Sequence, residues 1–282
     1  TGNMHTTGYD LEIGWRDQVG DFRYSVSANL SDFISKMGNL GGTEFLGEKV
    51  KMEGSQFDEW YGYLSDGLFQ TQEEVDNSPK LNNNVTIGDI KYKDINGDGK
   101  VDSQDWVTIG WPSVPEIIYG FGFSAGYKGF DISCFFQGSA HSSFVFHTGG
   151  TDYGSGVSTL HPFVGGQTAL MQAIADDHWT EENQDPYAFW PRLSTQIEEN
   201  NSQKSTWWMR NGAFLRLKSA EIGYSLPKEV CRKLYLSNLR VYLSGTNLLT
   251  FSKFKLWDVE MGGNGLGYPI QRVYNVGVQL DF

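Results

Sequence analysis

Residues 117–138 read IIYGFGFSAGYKGFDISCFFQG, and they give the clearest indication of the fold class. From Tyr119 to Tyr127, aromatic or apolar side chains stand at every second position, with Gly or Ser between them. A Lys-Gly pair then reverses the chain into 130–138, which alternates in the same way. Alternation with period two is typical of a β-strand that has one apolar face, so the stretch predicts an antiparallel hairpin.

The same period recurs along the chain and predicts an all-β protein with about seven strands. The segments that carry it lie near residues 7–16, 21–31, 117–127, 130–138, 212–225, 238–250 and 272–282. Within 212–225 the alternation changes phase, which indicates a β-bulge near Ser219.

The connections between these segments differ greatly in length. Short turns at 17–20, 128–129 and 226–237 alternate strictly with long stretches at 32–116, 139–211 and 251–271. Outer-membrane barrels combine short periplasmic turns with long extracellular loops, an apolar face turned to lipid and a polar lumen. If Phe282 ends at the periplasmic side, every long stretch is an extracellular loop. Seven strands cannot close a barrel without an edge facing lipid, so we expect 1–282 to be part of a larger transmembrane β-barrel, with the missing strands upstream.

Composition argues against several classes of function. The formal net charge is −12 and Lys and Arg do not cluster, which argues against nucleic-acid binding. Cys134 and Cys231 lie far apart in the sequence and do not support a disulfide framework. The chain has no HExxH histidine pair and no GxSxG elbow, so we predict that it is not an enzyme.

An acidic stretch, DINGDGKVDSQD at residues 94–105, has the ligand spacing of a twelve-residue calcium loop. The expected ligands are the side chains of Asp94, Asn96, Asp98, Asp102 and Asp105 and the main-chain carbonyl of Lys100. Asp105 stands where Glu is usual, which leaves the preference for Ca²⁺ over Mg²⁺ open. Because both flanks are β rather than helix, the sequence predicts a structural Ca²⁺ that pins a coreless loop. An Asp/Asn/Gly-rich turn without an ion is the alternative.

Aromatic residues are frequent in the long stretches. We expect them to be exposed and to be candidates for stacking on sugar faces or contacting a lid protein, with packing of the loops on themselves as the alternative. They are Trp60, Tyr61, Trp111, Trp179, Tyr187, Phe189, Trp190 and Trp257. Trp207 and Trp208, near the start of a strand, are predicted to belong to an interfacial aromatic girdle.

Several longer runs resemble one family. They are GDIKYKDINGDGKVDSQDWVTIGWPSVPEIIYGFGFSAGYKGFDISCFFQG (88–138), YGYLSDGLFQTQEEVDNSP (61–79), WMRNGAFLRLKSAEIGYSLP (208–227), LRVYLSGTNLLTFSKFKLWDVE (239–260) and GYPIQRVYNVGVQLDF (267–282). In this order they resemble the SusC/RagA-like TonB-dependent receptors. The resemblance covers nearly the whole chain and is weakest in 32–56 and 139–205.

The resemblance implies the C-terminal portion, about seven strands, of a 22-stranded outer-membrane barrel whose N-terminal plug is absent from this chain. It implies location in the outer membrane of Gram-negative bacteria of the Bacteroidetes type, in contact with lipid. It also implies import of glycans or peptides, energised by TonB through the missing N-terminal region, with a SusD-like surface lipoprotein as lid. The C-terminal Phe282 with its alternating apolar residues resembles the signal for barrel assembly.

Two other functions remain open from the residues. A secreted or surface calcium-binding adhesin or carbohydrate-binding module would explain the acidic loops and the aromatics. A barrel hydrolase would need a Ser/His/acid set, which no motif places.

Overall fold

The computed structural model describes residues 2–39, 41–42, 44–46, 49–145, 172–196, 198–265 and 267–282. Strands dominate these residues, and the helices are short. The strands are β1 (Met4–Val19), β2 (Phe22–Met37), β3 (Glu44–Leu46), β4 (Lys49–Lys51), β5 (Trp60–Gly62), β6 (Ser65–Leu68), β7 (Ile90–Tyr92), β8 (Val107–Ile109), β9 (Ile117–Tyr127), β10 (Phe130–Ala140), β11 (Ser143–Val145), β12 (Met209–Asn211), β13 (Phe214–Ser225), β14 (Asn238–Ser252) and β15 (Val273–Asp281). The helices are α1 (Gln72–Asn77), α2 (Gln172–Asp176) and α3 (Lys228–Lys233). Within the described segments, no helix has the length and apolar character needed to cross a membrane.

The main sheet has seven strands in the order β1-β2-β9-β10-β13-β14-β15. Every pair of adjacent strands in this sheet is antiparallel, which confirms the predicted all-β fold. β1 and β2 are longer than the predicted 7–16 and 21–31, because their pairing continues to Met4 opposite Met37. Backbone hydrogen bonds alone extend a ladder, so the apolar alternation understates the strand length.

One face of this sheet is apolar across all seven strands. The register aligns Leu11 with Leu30, and Phe121 lies opposite both Ala28 and Phe136. Many of these side chains are exposed, Trp15 and Val276 among them. A continuous exposed apolar face of this size marks a membrane or interaction surface.

The opposite face is polar and rich in glycine. Phe135 points to this side and lies against Gly120 and Gly122, where an added Cβ would come within 3.0 and 3.3 Å of its ring. Further along the same face, Arg240 donates to Asp131 and Glu221 on the two preceding strands. The alternation therefore gives the sheet one apolar face and one polar face. On the polar face, ion pairs form and an aromatic ring packs against glycines.

The predicted bulge is present. The pairing of β13 with β14 shifts register between Leu217 and Ser219, and the pairing of β10 with β13 shifts between Phe135 and Phe136. The bulge keeps Leu217 on the apolar face while Arg216 lies opposite Gln137 on the polar face.

The expectation that the long connections lack a core is wrong. Their described parts pack together at one end of the main sheet, in a unit that we call the loop lobe: residues 52–113, 141–145, 172–196, 198–213 and 253–265. Its core combines side chains from all three long connections: Trp60, Tyr63, Leu68, Ile90, Tyr92, Val101, Ile109, Phe144, Val145, Ile174, Trp179, Ala188, Trp190, Trp208, Phe254 and Val259. The buried hydrophobic core of the described chain therefore lies mainly in the loop lobe.

Candidate functional site

The candidate site is the loop lobe and the end of the polar sheet face beneath it. A buried polar network ties two of its segments together. Asp89 is fully buried and accepts from the Thr86 amide at 2.9 Å and from the side-chain amide of Asn201 at 2.8 Å. The Nε atom of Arg192 lies 2.7 Å from the same carboxylate. Burial raises the pKa of Asp89, and these three neighbours offset only part of the rise.

A second set of charges fixes the last long connection to the sheet. Arg216 on β13 is 1% exposed, and its Nη2 atom donates to both carboxylate oxygens of Asp258, at 2.6 and 2.8 Å. The same atom lies 2.8 Å from Glu260. Beside this cluster, a cavity of about 440 Å³ opens between the sheet and the lobe, with Gln137 and Ser139 in its wall. The long connection is therefore held by a buried ionic clamp.

The structure corrects the predicted exposure of several aromatic residues. Trp60, Trp179 and Trp190 are buried in the core of the loop lobe, with Trp190 only 1% exposed. Trp208 is equally buried and donates its indole N–H to the Asn201 carbonyl at 2.8 Å, so it is not a girdle residue. Packing of the loops on themselves, the alternative that the sequence left open, holds for these rings.

The other predicted contact residues are half-buried or exposed. Tyr61 packs edge-on against Trp106, with ring centroids 6.3 Å apart. Trp257 donates to the Gly262 carbonyl at 2.8 Å. Trp111 is 42% exposed and stacks on His141, with centroids 3.9 Å apart. The structure does not bring these residues together into one surface: Trp60, Tyr61, Trp111, Trp179, Trp190 and Trp257.

In the predicted calcium loop, backbone amides of the loop itself donate hydrogen bonds to its carboxylates. Asp94 accepts from the amides of Gly97 and Gly99 at 2.6 and 2.8 Å. Asp105 is buried and accepts from the amides of Ile95 and Asp102, each at 2.8 Å. Burial raises the pKa of Asp105, but the amide donors outweigh it and hold the pKa below its usual range. The carboxylate at the twelfth position is therefore kept ionised.

The remaining loop side chains also accept hydrogen bonds from nearby backbone amides. Asn96 accepts from the Asp98 amide, Asp98 from the Lys100 amide and Asp102 from the Gln104 amide. In the described part of the chain, no group of three His, Cys, Asp or Glu side chains is arranged to hold a metal ion. The kind and number of oxygen donors suit Ca²⁺, whereas coordination would require these oxygens to come closer together.

A pocket that sequence reasoning missed lies in the loop lobe, between β6, residues 177–189 and residues 206–210. Its lining includes Tyr187, Phe189, Trp207 and Arg210. Of these, Tyr187 and Phe189 are among the predicted loop aromatics, whereas Trp207 was assigned to the girdle. No periodic signal marks such a pocket, because it forms only where three distant segments meet.

Comparisons with known proteins support the resemblance seen in the sequence. The chain is 28% identical over 305 residues to TonB-dependent receptor P26 of Formosa agariphila, which covers 100% of this chain and 29% of the relative. TonB-dependent receptor P3 of the same organism is 26% identical over 308 residues, with the same coverage. No protein-family model matches.

Solved structures share the fold. The RagAB peptide importer in its open-open state matches with a TM-score of 0.74 and 22% identity, over 100% of this chain and 29% of that chain. The structure of the RagAB peptide transporter matches with a TM-score of 0.74 and 23% identity, over the same shares of both chains. This chain therefore spans about 29% of the length of the proteins that it matches. Similarity along the whole chain and the shared fold together confirm the predicted resemblance to part of the β-barrel of the SusC/RagA-like TonB-dependent receptors.

Proposed function

We propose that the protein containing this chain imports oligosaccharides or peptides across the outer membrane, using energy delivered through TonB. In this proposal a SusD-like surface lipoprotein covers the outer mouth, and the loop lobe faces outside the cell. The observation that carries the proposal is the similarity to TonB-dependent receptors along the whole of this chain. It is joined by the one continuous exposed apolar face of the main sheet.

The two faces of the main sheet support this assignment. An apolar face with side chains such as Ile13, Leu243 and Val276 exposed suits contact with lipid tails. The polar face, with Arg240 between Asp131 and Glu221, suits a water-filled lumen. The described parts of all three long connections lie at one end of the sheet, where a lobe with its own core offers a firm surface to a lid protein.

The first test is to extract the full-length protein from native outer membranes in mild detergent, with calcium present, and to identify co-purifying proteins by mass spectrometry. We expect a stoichiometric SusD-like lipoprotein. In parallel, uptake of labelled oligosaccharides and peptides is compared in cells with and without TonB, and we expect uptake only when TonB is present. Recovery from the soluble fraction would overturn the membrane assignment and favour the calcium-binding adhesin, whereas TonB-independent uptake would overturn energised import.

We also propose that residues 94–105 bind a structural Ca²⁺. The support is the spacing of oxygen donors and the ionised, buried carboxylate of Asp105 at the twelfth position. The loop packs Val101 into the lobe core, so an ion there would add to the stability of the segment that leads into β9. With no pair of helices to open, the role is structural.

Removing calcium is expected to loosen residues 88–112 without unfolding the barrel. If calcium is present at a hundred times its dissociation constant, chelation should increase local opening about a hundredfold, since binding stabilises the closed loop by mass action. Limited proteolysis of the full-length protein in detergent, with and without EGTA, measures this change, and a return of Ca²⁺ should reverse it. Cleavage that EGTA leaves unchanged would contradict the proposal.

A pair of variants makes the calcium experiment specific. Asp98→Asn removes one ligand charge yet keeps an oxygen that can accept from the Lys100 amide. We expect this variant to need more calcium for the same protection. Glu181→Gln, which changes an exposed carboxylate of the loop lobe outside 88–112, is the matched control and should behave as the unchanged protein.

A further inference from the structure

The pocket between β6, residues 177–189 and residues 206–210 is the concave site in the loop lobe where aromatic and charged side chains converge. Its volume is about 420 Å³, within the range of about 300–1,000 Å³ that is usual for small-ligand sites. The lining comprises Ser65, Asp66, Gly67, Asp177, Tyr187, Ala188, Phe189, Thr206, Trp207 and Arg210.

Hydrogen bonds from backbone amides fix the walls of this pocket against one another. The Leu68 amide donates to the Pro186 carbonyl at 2.9 Å, which joins β6 to the Tyr187 segment. The Ser65 amide donates to the Thr206 hydroxyl at 2.9 Å, which joins β6 to the third segment. Gly67 adopts φ +88°, and a Cβ there would lie 3.2 Å from the Pro186 carbonyl, so glycine permits the close approach. The pocket is therefore formed before any ligand arrives.

Aromatic rings provide its apolar surface. Tyr187 lies at the rim of the pocket and is 74% exposed, so packing in the core of the lobe does not account for this aromatic side chain. Phe189 lies deeper, packed against Trp190 with ring centroids 4.3 Å apart. The Arg210 guanidinium lies over this ring, 4.1 Å from the centroid of Phe189. An exposed ring at the mouth of a preformed pocket is suited to cover the flat apolar face of a ligand.

The polar groups around these rings balance in charge. Asp66 and Asp177 both line the pocket, and Lys93 lies 3.6 Å from Asp66. Asp177 accepts from the Phe189 amide at 3.0 Å, which orients its carboxylate. Arg210 donates to the main-chain carbonyls of Trp207 and Met209, and burial lowers the pKa of its guanidinium to about 10. With carboxylates and cations side by side, the pocket does not favour a ligand of either charge.

We propose that this pocket binds one end or one branch of a neutral oligosaccharide. A sugar ring has an apolar face of C–H groups that matches Tyr187, and its hydroxyl groups both donate to carboxylates such as Asp66 and accept from a guanidinium such as Arg210. This inference rests on the proposed import function and narrows its substrate class to glycans. The likeness to the RagAB peptide importer is a likeness of fold and does not decide the substrate.

Binding by the purified full-length protein in detergent tests the pocket without any need for transport. The probes are neutral hexasaccharides with α-1,4, β-1,3 and β-1,4 linkages, and a tryptic peptide mixture serves for comparison, all measured by isothermal titration calorimetry. We expect at least one hexasaccharide to bind, and Tyr187→Ala to weaken that binding about tenfold or more, because exposed aromatic anchors carry much of the energy at such sites. Asp66→Asn should also weaken it.

Tyr235→Ala is the matched control, since Tyr235 is an exposed tyrosine beyond α3, at the opposite end of the sheet. It should leave binding unchanged. Equal binding by the Tyr187→Ala variant and the unchanged protein, or binding of peptides but of no hexasaccharide, would overturn the pocket assignment while leaving import intact. Hexasaccharide binding that depends on Tyr187, combined with no TonB-dependent uptake, would support the pocket and overturn import instead.

Discussion

Replacing Arg216 with alanine is expected to release the last long connection from the sheet and to destabilise the protein. Arg216 is almost fully buried, and its loss leaves Asp258 and Glu260 side by side without their cation. Removing one partner of a buried ion pair costs about 3–5 kcal/mol. Because both carboxylates keep some access to water, we expect a value near the lower end, about 3 kcal/mol.

The effect of Arg216→Ala is measured as the change in the free energy of unfolding of the full-length protein in lipid vesicles, by urea titration. Lys218→Ala is the matched control, since Lys218 lies on the same strand and 3.9 Å from Glu260 but is partly exposed. Such a pair contributes about 0–1 kcal/mol. Arg216→Lys should fall between the two, because an ammonium keeps the positive charge but lacks the planar guanidinium that places Nη2 against both Asp258 and Glu260. Equal changes in the free energy of unfolding for Arg216→Ala and Lys218→Ala would show that the buried ion pairs of Arg216 stabilise the protein no more than an exposed pair does.

The second large effect is expected at Trp208. Trp208→Ala should destabilise the loop lobe by about 3–5 kcal/mol, the usual cost of truncating a buried aromatic side chain to alanine. The variant loses a ring that is 1% exposed and leaves the Asn201 carbonyl without its indole donor. If the long connections had no common core, this substitution would be nearly neutral.

Hydrogen exchange followed by mass spectrometry measures the Trp208 effect locally. Exchange should rise in 60–69 and 86–92, which pack in or against the same core, and should change little in β1 and β15. Trp111→Ala is the matched control, because Trp111 is exposed and loses chiefly its stacking on His141. Faster exchange confined to 206–210, with 60–69 unaffected, would contradict a core shared between the long connections.

The sheet was predictable from sequence because strand pairing leaves a local signature. Each of the seven strands shows its own alternation, and a phase change within one strand was enough to locate the bulge near Ser219. The ends of β1 and β2 were not predictable, since pairs such as Met4 with Met37 lie beyond the apolar alternation. Main-chain hydrogen bonds form there regardless of side-chain type.

The loop lobe was not predictable for a different reason. Trp190 ends the run YAFW at 187–190, and nothing in this run shows that Trp190 is buried against residues from other connections while Tyr187 is exposed. Trp207 and Trp208 are adjacent and chemically equal, yet one lines the pocket and the other fills the core. Such differences arise from contacts between distant segments, which no local period encodes.

The make-up of the loop lobe also sets an order of events during assembly. Neighbours in the main sheet follow one another along the chain, so each strand can pair as soon as the next one arrives. Trp60, Trp190 and Phe254 come from three separate connections, and their meeting requires three large loops to close at once. Loop closure of this kind is slow, because its entropy must be lost before any contact forms. We therefore expect the lobe to mature last, so that a newly made chain passes through a stage in which its strands are paired while the lobe is still open to proteases.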